Sequence, residues 1–92
     1  MQEILLDIRP FEDKVALHQY IRERLSFSFY YGANLDALFD ELTSATEVTA
    51  ILLCYPKQPK GKMADYLPRL LAVFEDAARE NYNLSIRFEE AE

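Results

Sequence analysis

Three short stretches of this chain have the apolar pattern of β-strands. The first, Glu3 to Ile8, has an aliphatic centre and predicts a short strand. The second, Val48 to Tyr55, is a nearly continuous apolar run, which is typical of a parallel strand covered on both faces. The third, Leu84 to Phe88, alternates like an edge strand, and we expect 89–92 to be a polar tail.

Apolar residues between the first two strands recur at three- and four-residue steps, which predicts two helices. The first begins at Glu12 or Asp13 and ends near Leu25. Its predicted buried face consists of Val15, His18, Ile21 and Leu25. The second begins after Asn34, which is a good N-cap. Its predicted inward stripe consists of Leu35, Leu38, Leu42 and Ala45.

A third helix is predicted between the second and third strands. Met63 to Tyr66 adds a helical turn, and Pro68 suits the first turn of the main helix, where a missing N–H costs little. Asn81 is expected to close the helix in the left-handed conformation. In the loop from Ser26 to Gly32, which precedes the second helix, Gly32 is the natural place for a positive φ angle.

The predicted order is strand, helix, helix, strand, helix, strand. Helical crossovers between strands make the strands parallel, and such crossovers are right-handed. We therefore predict a small α/β fold over residues 1–92. It is a single domain with a three-stranded parallel sheet in the order 1-2-3 and three to four helices.

Composition narrows the possible classes of protein. Half of the 92 residues are apolar, enough for one modest core. The net charge of −6 argues against nucleic-acid binding, which needs a basic surface. Cys54 is the only cysteine, which fits a reducing compartment. No apolar run is long enough for a membrane span and no secretory signal is visible, so we expect a cytoplasmic protein.

Acidic and aromatic residues cluster in the middle of the chain. From Leu25 to Pro56 there is no Lys or Arg. This stretch contains the acids Asp36, Asp40, Glu41 and Glu47 and the aromatics Phe27, Phe29, Tyr30, Tyr31 and Phe39. We expect Phe27 and Tyr31 to be partly buried, and Tyr30 and Phe39 to be exposed. An acidic surface with exposed aromatics is typical of a protein that binds a basic partner.

Signatures of catalysis are mostly absent. Gly32 and Gly61 are the only glycines, so there is no phosphate-binding glycine loop. The single histidine, His18, lies on an apolar stripe and is interpreted as a hydrogen-bonded core residue. We predict neither an enzyme nor a cofactor or metal site. Two alternatives remain: a small metal-dependent enzyme using Asp36 and Asp40, and a general acidic adaptor that uses this face for protein interaction.

The segment from Tyr30 to Asp40 (Tyr-Tyr-Gly-Ala-Asn-Leu-Asp-Ala-Leu-Phe-Asp) resembles the most recognisable segment of the barstar family of ribonuclease inhibitors. The resemblance extends into the first and last helices, and the family's fold is similar to the order derived above. It implies a cytoplasmic inhibitor that is monomeric when free. Such an inhibitor forms a one-to-one complex with a basic, secreted microbial ribonuclease or a related nuclease toxin.

The resemblance also implies roles for individual residues. Asp40 would be the central acid in the enzyme's phosphate pocket, Asp36 would pair with a neighbouring base, and Tyr30 would stack near the catalytic histidine. Asp76 would be a peripheral acid, where the family's best-known member has Glu. The family often has Trp where this chain has Phe39. This difference would change which nuclease the inhibitor binds. Further contacts would come from Gly32, Asn34, Leu35, Phe39 and Thr43.

Overall fold

The computed structural model describes residues 1–92, and its helices and strands follow the predicted order. The elements are β1 (Gln2–Asp7), α1 (Lys14–Arg24), α2 (Leu35–Thr43), β2 (Thr49–Pro56), α3 (Met63–Glu80) and β3 (Leu84–Ala91). The fold is therefore α/β with three helices, at the lower end of the predicted number.

The sheet has the predicted topology. All three strands are parallel and lie in the order β1-β2-β3, with β2 in the centre. Leu53 of β2 lies opposite Leu6 of β1 and Phe88 of β3. This register places one apolar row from each strand on the same side of the sheet, because side chains alternate between faces along a strand.

Only one face of the sheet is buried. Ile51 and Leu53 are almost fully buried, whereas Leu5 on the opposite face is 48% exposed and its neighbour Leu52 is only half-buried. Both crossovers run in the same direction along the sheet, and right-handed crossovers in one direction place every helix on one side. The prediction that β2 is covered on both faces was wrong for this reason.

The core lies between the covered face and the three helices. Phe74 and Leu70 of α3 are fully buried, and Leu17 and Ile21 bring α1 against the same centre. Leu38 attaches α2 to it. Val15 is 72% exposed, so its predicted place on the buried face of α1 was wrong.

The two ends of α3 differ from the prediction. The helix runs without a break from Met63, so Pro68 lies inside it and not in its first turn. Pro68 cannot donate to the carbonyl of Ala64, but Ala64 is exposed and water can hydrate that carbonyl. Asn81 ends the helix with φ −121°, an extended conformation instead of the left-handed one.

Asn81 performs a different task. Its side chain is buried and its Nδ2 donates to the carbonyls of Leu42 (3.0 Å) and Ala45 (2.9 Å). These carbonyls belong to the end of α2 and to the segment that follows, because α2 ends at Thr43. Ala45 therefore lies outside the helix, and its predicted place on the inward stripe of α2 was wrong. Asn81 fixes the end of α2 to the end of α3.

The chain after Phe88 is part of the sheet. Glu89, Glu90 and Ala91 pair with Cys54, Tyr55 and Pro56 of β2. The predicted polar tail is thus the second half of β3. Its acidic composition concealed the strand, since charged residues are common on a strand that lies at the edge of a sheet.

Replacing Asn81 by Ala should destabilise the fold, because two buried carbonyls lose their donor. We expect a loss of about 1–3 kcal/mol in the free energy of unfolding, measured by urea denaturation. Asn83→Ala is the matched control, since the side chain of Asn83 forms no hydrogen bond and only its backbone N–H donates, to Asn81 Oδ1. Equal stability of the two variants would contradict this role for Asn81.

Candidate functional site

The loop between α1 and α2 is a compact turn. Ser28 organises it: its carbonyl accepts from the Tyr31 N–H at 3.0 Å and its Oγ accepts from the Tyr30 N–H at 3.1 Å. The positive φ angles of the loop lie at Ser26 (57°) and Ala33 (53°), and not at Gly32, so that prediction was wrong. The turn holds Tyr30 outward.

Gly32 is required for a different reason. A Cβ atom there would lie 3.2 Å from the Cβ of Ala37, in the first turn of α2. This distance is shorter than ordinary contact between carbon atoms. The Gly32 carbonyl also accepts from Asn34 Nδ2 at 3.3 Å. The absence of a side chain allows the loop to lie directly against the start of α2.

Tyr31 anchors this loop to the core through His18. The Tyr31 hydroxyl lies 2.7 Å from His18 Nδ1, and the Tyr66 hydroxyl lies 2.5 Å from His18 Nε2. His18 belongs to α1 and Tyr66 to α3, so one imidazole connects both helices to the loop. His18 is only 1% exposed, which confirms its interpretation as a hydrogen-bonded core residue.

The electrostatics of this cluster favour uncharged groups. Burial, with a smaller contribution from the positive charge of Lys14, lowers the pKa of His18. Burial raises the pKa of both Tyr31 and Tyr66. A neutral imidazole has one donor and one acceptor, so one hydroxyl donates to it and the other accepts. The neutral cluster satisfies both ring nitrogens.

Asn34 starts α2 as predicted. Its side-chain oxygen accepts from the Ala37 N–H at 2.8 Å, which satisfies one of the free donors of the first turn. Leu38 and Leu42 are buried, whereas Asp36 and Asp40 are exposed. The helix is therefore held by one side and presents its carboxylates on the other.

The carboxylates of α2 have no cationic partner within the chain. The ion pairs of the structure join Arg9 to Asp7 and Arg79 to Glu75 and Asp76. None involves Asp36 or Asp40. Like charges four residues apart on a helix repel each other, at a cost of a few tenths of a kcal/mol. The free protein thus carries an uncompensated acidic surface on α2.

The aromatic residues divide into exposed and anchored groups. Tyr30 is 90% exposed, as predicted, and Phe29 beside it is 83% exposed. Phe27 and Tyr31 are partly buried, also as predicted. Phe39 is half-buried and packs against the core, so its predicted exposure was wrong. Its position on α2 turns part of the ring inward.

Six of the nine predicted site residues line two hollows. Tyr30, Gly32 and Asp40 line a shallow hollow of about 290 Å³, together with the unpredicted residues Ala37, Glu41 and Ser44. A second hollow, of about 370 Å³, lies at the start of α2. It is lined by Asn34, Leu35 and Asp36 and by Lys14, Val15, Ala33, Tyr66 and Arg69. Sequence reasoning missed the residues from α1 and α3 because nothing in their spacing relates them to α2.

Three predicted residues, Phe39, Thr43 and Asp76, lie outside both hollows. Thr43, in the last turn of α2, is half-buried and donates through Oγ1 to the Phe39 carbonyl at 2.8 Å. Asp76 lies on α3 and its carboxylate is 3.2 Å from Arg79. In the free protein, this acid is therefore already partly neutralised.

Two further tests concern other kinds of site. No group of three or more His, Cys, Asp or Glu side chains is arranged to hold a metal ion. None of the three helices is both long enough and apolar enough to cross a membrane.

A small parallel α/β domain with a preformed acidic and aromatic surface is the class of protein that the structure defines. Over residues 1–89 the chain matches the family described as "Barstar (barnase inhibitor)". It is also 33% identical over 81 residues to the Bacillus subtilis (strain 168) protein named "Putative ribonuclease inhibitor YrdF". That alignment covers 87% of this chain and 89% of the relative.

The chain therefore belongs to the barstar family. The predicted resemblance is confirmed, and so is the α/β fold with three parallel strands in the order 1-2-3. The protein is a barstar-like ribonuclease inhibitor, and members of this family are not enzymes.

The His18 cluster predicts a pH-dependent stability. The folded-state pKa of His18 lies below its ordinary value of 6.5, so the unfolded chain binds the proton first. Stability is then complete above pH 6.5 and declines as the pH falls toward the lowered value. Urea denaturation between about pH 8 and pH 5 should show this decline.

His18→Gln should flatten the pH dependence in this range. Asp7→Asn is the control, because the pKa of Asp7 is lowered from 3.8 by its hydrogen bond to Arg9 and acts only at more acidic pH. An unchanged slope in the His18→Gln protein would show that another group is responsible.

Proposed function

We propose that this protein inhibits its ribonuclease by inserting the acidic face of α2 and the preceding loop into the RNA-phosphate site. The acidic face consists of Tyr30, Gly32, Asn34, Leu35, Asp36, Phe39, Asp40 and Thr43. The observation that carries this proposal is the pair Asp36 and Asp40, exposed on one rigid helix without a cationic partner.

A ribonuclease has to gather positive side chains around a phosphate, and carboxylates can occupy such a pocket. Asp40 is the central acid of the proposed complex and Asp36 pairs with a neighbouring base. Because α2 is capped by Asn34 and attached through Asn81, both carboxylates are in place before binding. Less conformational entropy is then lost on association.

Tyr30 provides the aromatic contact of the proposed complex. Its ring is held outward by the Ser28 turn and makes an edge contact with Phe29, with ring centroids 6.0 Å apart. An exposed and oriented tyrosine gives a large contact area at low entropic cost. It suits stacking against a ring of the enzyme's active site.

Phe39 and Asp76 are secondary in this proposal. Phe39 is partly buried and forms the base of the acidic face, so its ring shapes the surface that a partner meets. Asp76 shares Arg79 with Glu75 and contributes at the periphery. We place the inhibitor in the cytoplasm of the producing cell, as one partner of a one-to-one complex. The related protein, also named as a ribonuclease inhibitor, favours this function over an interaction adaptor.

Asp40→Ala should abolish tight inhibition while leaving the fold intact, because no side-chain hydrogen bond or ion pair of the free protein depends on the carboxylate. We expect the free energy of binding to weaken by about 2–5 kcal/mol or more. This is the cost of removing one partner of a buried charge pair, as in this family's best-known complex. The measurement is inhibition of a panel of secreted ribonucleases that includes barnase.

Glu90→Ala is the matched control, since it removes one negative charge from β3 and lies in neither hollow. It should inhibit like the unchanged protein. If Asp40→Ala inhibits equally well, the proposed mode of binding is wrong. Recovery of a single non-nuclease partner, undiminished in cells that lack the nuclease, would instead support the adaptor.

Association with the ribonuclease should become slower as salt is added. The inhibitor has a net charge of −6 and attracts a basic enzyme electrostatically. About 0.1 M salt limits the range of this attraction to roughly 10 Å. Stopped-flow measurements at low and high salt should show a falling association rate and a nearly constant dissociation rate. An association rate independent of salt would contradict electrostatic steering.

A further inference from the structure

Two unpaired cations lie at the edge of the acidic face. Lys14, the first residue of α1, and Arg69 of α3 line the hollow at the start of α2. We call this hollow the basic cleft and define it by Lys14, Val15, Leu35, Asp36, Tyr66 and Arg69. Neither cation forms an ion pair with a carboxylate of the chain, including that of Asp36.

The cations are placed by an aromatic ring. Lys14 Nζ lies 5.3 Å from the ring centroid of Tyr66, and Arg69 Cζ lies 5.7 Å from the same centroid. Tyr66 is itself only 7% exposed and is hydrogen-bonded to His18. Cation–π contacts with a fixed ring favour positions of the two charges beside the acidic face.

The lining of the cleft carries two cations and one carboxylate, although the protein as a whole is acidic. Two cations face one carboxylate, Asp36. Their influence is visible in neighbouring groups: Lys14 helps to lower the pKa of His18, and Arg69 opposes the rise in the pKa of Tyr66 that burial causes. A uniformly basic partner docked on the acidic face would be repelled here.

Lys14 is also unfavourable for its own helix. It occupies the first position of α1, whose first turn contains no acidic residue. A positive charge at a helix N-terminus opposes the helix dipole, so Lys14 weakens α1. The exposed apolar side chain of Val15 follows it, 72% exposed at the rim of the cleft. The contact of Lys14 with the Tyr66 ring offsets part of this cost, whereas the exposed side chain of Val15 adds little to the core.

We propose that the basic cleft receives an acidic side chain of the cognate nuclease and thereby fixes which enzyme binds and in which orientation. The inference rests on the proposed function, because the cleft is continuous with the acidic face through Asn34, Leu35 and Asp36. The nuclease then presents cations to Asp40 and a carboxylate to Lys14 and Arg69. Opposite charges at two separate points favour one docking orientation over others.

Charge reversal tests this inference by the sign of its effect. Lys14→Glu, Arg69→Glu and the control Lys57→Glu each change the net charge from −6 to −8. Lys57 lines a different hollow, at the C-terminal ends of the strands. General attraction to a basic enzyme should make all three variants bind as well or better. The basic cleft predicts instead that Lys14→Glu and Arg69→Glu weaken binding by about tenfold or more, whereas Lys57→Glu does not.

The probe is the ribonuclease of the panel that the unchanged protein inhibits most strongly, and dissociation constants and melting temperatures are measured together. Lys14→Glu should melt close to the temperature of the unchanged protein, because the lost contact with Tyr66 is offset by a better match to the helix dipole. Weaker binding at a nearly unchanged melting temperature is a combination that a purely structural role does not give. Lys14→Gln and Arg69→Gln remove the positive charge without introducing a negative one, and should weaken binding to a smaller degree. They control for structural damage caused by the reversed charge.

Two outcomes would overturn the inference. If Lys14→Glu and Arg69→Glu bind as tightly as Lys57→Glu while Asp40→Ala loses binding, the proposed function stands and the basic cleft has no role. If Asp40→Ala and the cleft variants all bind like the unchanged protein, the acidic face is not the interface. In that case both proposals fail.

Discussion

The hydrogen bonds of one imidazole join the loop before α2 to the helices α1 and α3. His18 hydrogen-bonds to Tyr31, in the loop before α2, and to Tyr66 of α3. Together with the packing of Phe27 and Tyr31 against the core, these bonds hold the loop on the domain. A buried polar cluster of this kind is favourable only when each member has its partner. The loop is therefore positioned by chemistry in the core and not by its own sequence alone.

The order of elements and the face that α2 presents were predictable because they follow from local rules. Periodicity identified the helices and strands, Asn34 marked the start of α2, and parallel pairing followed from the helical crossovers. The exposure of Asp36 and Asp40 also followed, since Leu38 and Leu42 had to be buried. The spacing of the apolar residues of α2 and its N-cap at Asn34 together predict which side of the helix faces solvent.

Features that depend on contacts distant in sequence were not predictable. Asn81 appeared to be a simple helix terminator, but its side chain binds carbonyls 36 and 39 residues earlier in the chain. Gly32 was assigned a positive φ, although its real constraint is the approach of Ala37. The basic cleft combines residues of three helices. In each case the partner is set by packing, which periodicity does not describe.

Tyr30 and Tyr31 are adjacent in sequence but differ in what depends on their side chains, and this difference has an evolutionary consequence. Tyr30 is 90% exposed and no other side chain depends on its hydroxyl, whereas Tyr31 is bound to the core through His18. A single peptide bond thus separates a residue whose side chain supports the fold from one whose side chain does not. Under the proposed binding mode, substitution at position 30 changes recognition and leaves the core hydrogen bonds in place, so a lineage of inhibitors can adapt there to a changing nuclease.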